Sequence, residues 1–293
     1  MSRWRHFLAI DWSGAAGERH KGIALALCDQ GGGPPRLLAH EKPWSRPEVL
    51  DLIAHDLPPD TLVGMDLGMS LPFADAGAFF PGWEESPPDA RALWVLVDAA
   101  CAADPHLGAS SLGDHPAASA YFRRHGGREG PHFHLPGTPH RRGRFRVTEE
   151  EQARMGCKPY SNFNLVGAAQ VGKSSLTGMR LLHRLQGRVP VWPVDPLPPG
   201  GPAIVEIYTA LAAIAAGRSA GRSKMTDHAA LNAALAALGS PPVAGGGPLD
   251  DHSADALVTA AWLRRSAHVA ALWRPARLTP ALAATEGWTF GAP

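Results

Sequence analysis

The strongest constraint on the fold is a pattern used twice: a short apolar run that stops on an aspartate. Phe7, Leu8, Ala9 and Ile10 run into Asp11, and Leu62, Val63, Gly64 and Met65 run into Asp66. A run this short with no polar member reads as a strand buried on both faces, because a half-buried strand would alternate. Strand ends in an open α/β sheet are where side chains reach a ligand crevice. Taken singly, either aspartate also suits a turn or a helix cap.

The other elements follow from local signals. Residues 22–28 and 36–40 read as two further strands, and the short turn-rich segments between them suit an antiparallel meander. Ser45 and Glu48 form a capping box with Pro47 in the first turn, opening a helix to about residue 57 with Val49, Leu52 and Ile53 on one face. The order is then β-β-β-α-β. Residues 73–200 differ in character, with helices near 89–103 and 174–185, a short acidic helix capped by Thr148, and a Pro-rich connection over 190–202. Strand character returns over 203–208. Thr226 caps an Ala/Leu-rich helix that Gly239 ends, and residues 251–266 form the last long helix. Trp288 and Phe290 belong to an aromatic tail expected to pack on the body. These elements predict one α/β domain, with a core over about 4–72 and 201–291 and a helical and loop insertion over about 73–200.

Charge is nearly balanced: Lys and Arg number 28 and Asp and Glu 27 among 293 residues, a net charge of +1. That excludes a globally basic nucleic-acid coat, so any polyanion site must come from local segregation of charge. Three widely spaced cysteines, Cys28, Cys101 and Cys157, form no disulfide framework, and the expectation is three buried thiols in a reducing cytoplasm. The N-terminal apolar run is too short for a signal-peptide core, and no stretch approaches the roughly 18 apolar residues of a membrane span.

Carboxylates concentrate at the expected strand ends and on the last helix. Glu206 interrupts an otherwise apolar strand, where a charge is costly unless it faces water, a partner or a metal. Asp251 and Asp255 are four apart and share one helix face. The runs Ile10-Asp11-Trp12-Ser13-Gly14, Gly64-Met65-Asp66-Leu67-Gly68, Val205-Glu206-Ile207-Tyr208 and Asp251 through Leu257 together resemble the ribonuclease H-like fold, over roughly residues 6–72 and 201–266. The closer likeness is to an uncharacterised bacterial and archaeal family described as predicted RNase H-like nucleases. The last run also looks like the Asp-x-x-Asp-Ala-Leu helix of Holliday-junction resolvases, although here the residue three before Asp255 is His252, and Asp250 is a further candidate. The resemblance implies a mixed five-stranded sheet with the first three strands antiparallel, flanked by helices. It implies catalytic Asp11, Asp66, Glu206 and Asp255, with Asp251 a further metal ligand. Hard oxygen donors suit Mg²⁺ or Mn²⁺, and two such ions about 4 Å apart serve phosphodiester hydrolysis. His252 is then a proton shuttle, or simply a surface histidine.

Two further signals stand apart. Gly167, Gly172, Lys173 and Ser174 complete the G-x-x-x-x-G-K-[ST] pattern, which needs a strand before it and a helix after it. Here the preceding strand is weak, so a nucleotide loop, a phosphate-contacting helix start with Lys173 and Ser174, and a structural turn all stay open. Between Arg123 and Arg146 lie seven arginines, among them Arg141, Arg142 and Arg144, against the single acid Glu129. Arginine forks suit phosphate, and the interleaved Tyr121, Phe122, Phe133 and Phe145 suit base stacking; a solvated loop is the alternative. His132, His134, His140 and Cys157 match no closed zinc spacing. Three function classes remain: a metal-dependent nuclease or related phosphoryl-transfer enzyme, a non-catalytic module binding nucleic acid or protein, and an ATP-binding protein using the Gly167–Ser174 loop or an actin-like site.

Overall fold

The structure, a computed structural model, describes residues 3–136, 141–167, 170–219 and 224–293. In chain order the elements are β1 (His6–Asp11), β2 (Ala24–Asp29), β3 (Arg36–Leu37), α1 (Arg46–His55) and β4 (Thr61–Met65). The middle region carries α2 (Ala90–Ala100), α3 (Ser111–Asp114), α4 (Val147–Arg154), α5 (Val171–Arg184) and β5 (Val191–Trp192). The chain then forms β6 (Ala203–Glu206), α6 (Thr209–Ala215), α7 (His228–Ala237), α8 (Asp251–Ser266) and α9 (Pro280–Thr285).

The six strands make one mixed sheet in the order β3-β2-β1-β4-β6-β5. β1, β2 and β3 are antiparallel, whereas β4, β6 and β5 join parallel to β1. The sheet has one strand more than the expected five. The addition, β5, is two residues long between Pro190 and Pro193, too short to show a pattern in the sequence.

Both faces of β1 and β4 are covered, which is why their runs lack polar members. Leu8, Ile10, Val63 and Met65 pack on one side with Val49 and Ile53 of α1, Trp94 and Val97 of α2, and Leu176 and Met179 of α5. Phe7, Ala9, Ala24, Ala26 and Val205 pack on the other with α6, α8, Trp288 and Phe290. The aromatic tail therefore lies in the core. Small residues on both surfaces let α8 approach the sheet. A Cβ at Gly64 would come within 2.8 Å of Ile207 Cγ2 and Leu263 Cδ1.

Three helix starts differ from the local reading. Asp227, not Thr226, caps α7 by accepting from Ala230 N at 2.8 Å. α4 begins one residue before Thr148, whose buried hydroxyl accepts from Thr289 N instead. α5 begins three residues before Ser174, at Val171.

Candidate active site

Parallel pairing places two aspartates side by side. Ile10 is level with Met65, and Asp66 N donates to Ile10 O at 2.9 Å, so Asp11 and Asp66 leave adjacent strands together. α8 brings the third. Its cap is Asp250, which accepts from Ser253 N at 2.9 Å, and its first turns hold Asp251, His252 and Asp255. His252 Nδ1 bonds Asp11 Oδ2 at 2.8 Å. The Asp11 side chain is 10% exposed and the imidazole 49%, so the histidine links a buried carboxylate to solvent.

Burial and the charges of neighbouring acids act on these carboxylates together. Burial pushes Asp66 well above the usual carboxylate range, and the charges of Asp11, Asp255 and Glu206 add to the effect. Asp255 is pushed up to about 7 by burial, then by Asp11 and Asp251. Burial also raises Asp11, against the pull of His252, which is itself raised by its bond to Asp11. Asp251 pairs with Lys224 Nζ at 2.5 Å through Oδ2, while its Oδ1 is buried with no hydrogen-bond donor among the described residues. Among the described residues, no group of three or more His, Cys, Asp or Glu is placed so that it could hold a metal ion. The donor chemistry nonetheless suits a hard cation: oxygen ligands that repel one another, and one buried oxygen left unbonded.

Glu206 requires a correction, because its oxygens are already engaged. Oε2 accepts from Met69 N at 2.7 Å and Arg146 Nη1 at 2.9 Å, and Oε1 accepts from Arg146 Nη2 at 2.6 Å and from Thr289 Oγ1. Arg146 also holds Glu149, which burial lifts to about 7 despite that partner. Glu286 takes the backbone N–H groups of Phe73, Ala74 and Val147 and ties the C-terminal segment to the same region. Glu206 is thus a buried structural acid.

The arginine-rich segment also divides on folding. Arg144 is fully buried, with Asp75 and the carbonyls of Pro72, Ala78 and Phe79 around its guanidinium, so it cannot reach a phosphate. Arg142 donates to Lys158 O and Pro159 O and lies 4.4 Å from the Tyr160 ring centroid, and Arg141 is exposed. Tyr121, Phe122, Phe133 and Phe145 are buried and cannot stack on bases. His134 lies 3.3 Å from Glu129, His132 packs on Tyr121, and His140 lies outside the described residues. All three cysteines are buried, and burial lifts the Cys28 and Cys101 thiols to about 11, which leaves no thiolate nucleophile there.

Local sequence missed two features. The first is a cleft of about 260 Å³ beside Asp66, walled by Trp12, Tyr160 and Tyr208, with Asn162, Lys158 and Ser174 at its edges. Trp12, next to Asp11 in the sequence, is fixed by its Nε1–H donating to Thr177 Oγ1 at 3.0 Å. The second is Arg46, buried at the start of α1, whose guanidinium binds the carbonyls of Ser13, Ala15 and His106 and clamps the loop after β1. Burial lowers it to about 10. Gly14 in that loop lies against α5, where a Cβ would fall 2.3 Å from the Lys173 carbonyl carbon and Ser174 N. Lys173 and Ser174 therefore sit in the first turn of α5. The segment before it, 161–165, makes only an isolated bridge and no strand, and residues 168 and 169 lie outside the described residues. The strand a nucleotide loop requires is thus lacking among the described residues.

No family model matches the chain, and no curated protein and no solved structure matches it. Among the described residues, no helix is long and apolar enough to cross a membrane.

Proposed function

We propose that the chain is a divalent-cation-dependent phosphodiester hydrolase of nucleic acid, with Asp11, Asp66, Asp251 and Asp255 as the ligand set. The observation that carries this reading is the gathering of these carboxylates from β1, the end of β4 and α8 into one partly buried space where each disfavours its neighbours' charge. A cation would relieve that repulsion and take up the unbonded Asp251 oxygen. The strand order, with an antiparallel trio beside parallel β4 and β6, supports a ribonuclease H-like reading of the sheet.

Bound there, Mg²⁺ or Mn²⁺ supplies Lewis-acid activation of water and charge stabilisation at the phosphate. The chain's own groups orient and exclude. His252 holds a proton on Nδ1 toward Asp11 Oδ2 and fixes that carboxylate. Arg46 and Gly14 lock the loop that follows Asp11. Half-buried Tyr160 and Tyr208 offer ring faces on which a base stacks beside Asp66, with buried Trp12 as the wall behind and Lys158 for a backbone phosphate. The test is a screen of single- and double-stranded DNA and RNA with Mg²⁺ and Mn²⁺, run beside Asp11→Asn. Cleavage should vanish with chelator and fall by at least about 100-fold in the variant, since even groups that only orient a metal ligand are worth 10- to 100-fold. Cleavage that survives Asp11→Asn would remove Asp11 from the site.

A further inference from the structure

A second pocket, of about 210 Å³, shares Gly14 and Ala15 with a groove lined by His252. Lys173, Arg124, Arg128 and His125 line it, and Asp114 is the single acid at its wall. Backbone hydrogen bonds fix the turn that carries Arg124 and Arg128. Arg124 N donates to Arg128 O at 2.8 Å and closes the turn between them. Arg123 N donates to Phe163 O at 3.0 Å and Leu165 N to Arg123 O at 2.9 Å, which pins that turn to the segment leading into α5.

Their charges are poorly compensated. Arg124 lies 3.8 Å from Asp114, whose side chain is 89% exposed, and its Nε is buried with no hydrogen-bond partner among the described residues. Neither Lys173 nor Arg128 has a carboxylate partner among the described residues. Like charges gathered without counter-charge repel, and an anion removes the penalty. Arginine forks beside a lysine match the oxygens of a phosphate. The volume is below that of pockets for drug-sized ligands, so it suits a phosphate group and its immediate ester neighbour.

We propose that this pocket is a phosphate-binding site, with Lys173, Arg124 and Arg128 as its contacts. It needs no metal and does not depend on the carboxylates being catalytic. The phosphate belongs to a nucleic-acid strand or to a free phosphorylated small molecule, and two titrations separate these sources. The first is calorimetry with pyrophosphate at low salt in chelator. The second, under the same conditions, is a single-stranded oligonucleotide with and without a 5′-phosphate. The wild type should bind pyrophosphate, and Lys173→Ala and Arg128→Ala should each weaken it by about tenfold or more, the worth of one charge-assisted contact. Arg128 is exposed, and alanine at 173 keeps the Cβ that lies near Gly14, so both variants should melt like the wild type. Oligonucleotide affinity falling in parallel assigns the site to a nucleic-acid phosphate. Oligonucleotide affinity left unchanged, with pyrophosphate lost, assigns it to a small molecule. Absent pyrophosphate binding, or binding unaltered in both variants, would overturn the proposal. Chelator excludes metal-dependent cleavage from these readouts, so failure of the nuclease reading leaves this result standing.

Discussion

Single carboxylates in this chain have opposite roles according to what faces them. Asp66 is surrounded by other acids, whereas Glu206 has a guanidinium across both oxygens. Their neutral isosteres should therefore act in opposite directions. Asp66→Asn removes a repelled charge and should raise the thermal midpoint in chelator, by about 2 °C for each kcal/mol relieved in a chain of this size, while abolishing metal-dependent cleavage. A lowered midpoint in calorimetry would show that Asp66 is instead a stabilising partner. Glu206→Gln leaves Arg146 buried and half paired and should cost about 3 kcal/mol in urea unfolding. A variant of wild-type stability would return Glu206 to the candidate ligands. Asp11 and Asp66 were legible from the sequence because each marks the end of an apolar run. Glu206 was misread because its partner lies 60 positions away.

Among elements, the loop after β1 is the clamped junction of the site. Arg46 holds it from α1 and Lys173 and Ser174 of α5 press on it through Gly14. Gly14→Ala puts a Cβ into backbone atoms that have no free rotor to give way. It should cost about 1–3 kcal/mol, the range for overpacking, and lower turnover by shifting Asp11. Urea unfolding and the cleavage assay together check this, and an unchanged unfolding midpoint would mean that α5 yields easily. The bounds of α8 and the shared face of Asp251 and Asp255 were readable from local signals, whereas its cap is Asp250 and not Asp251, since three adjacent polar residues offer the same local signal. β5 and α6 were not, because two residues and seven residues are too short to establish a period.

For the whole molecule, the closing segment is part of the core. Trp288 and Phe290 are fully buried against α8 and β6, and Glu286 satisfies three N–H groups of two distant segments. Removing residues 286–293 should abolish cooperative unfolding, since each buried aromatic alone is worth about 3–5 kcal/mol against a total of about 5–15. A truncated chain with a sharp thermal transition would contradict this. The nearly neutral total charge also acquires a structure at this scale. The strand-end Asp11 and the basic pocket both adjoin the loop after β1, and acid and base cancel only in the sum.

The sequence by itself determined the sheet's central strands, the aspartates at their ends and the shared face of Asp251 and Asp255. Those features depend on neighbours within one run or one turn, so local hydrophobic pattern and helical spacing suffice. Only the tertiary structure decided which charges are free. Arg144, Arg146 and Glu206 looked available in the sequence and are buried pairs, whereas Arg128 and Lys173 stand beside a pocket without a carboxylate partner among the described residues. Burial and charge pairing are set by groups far apart in the chain, and they exist only where the middle region packs on the sheet.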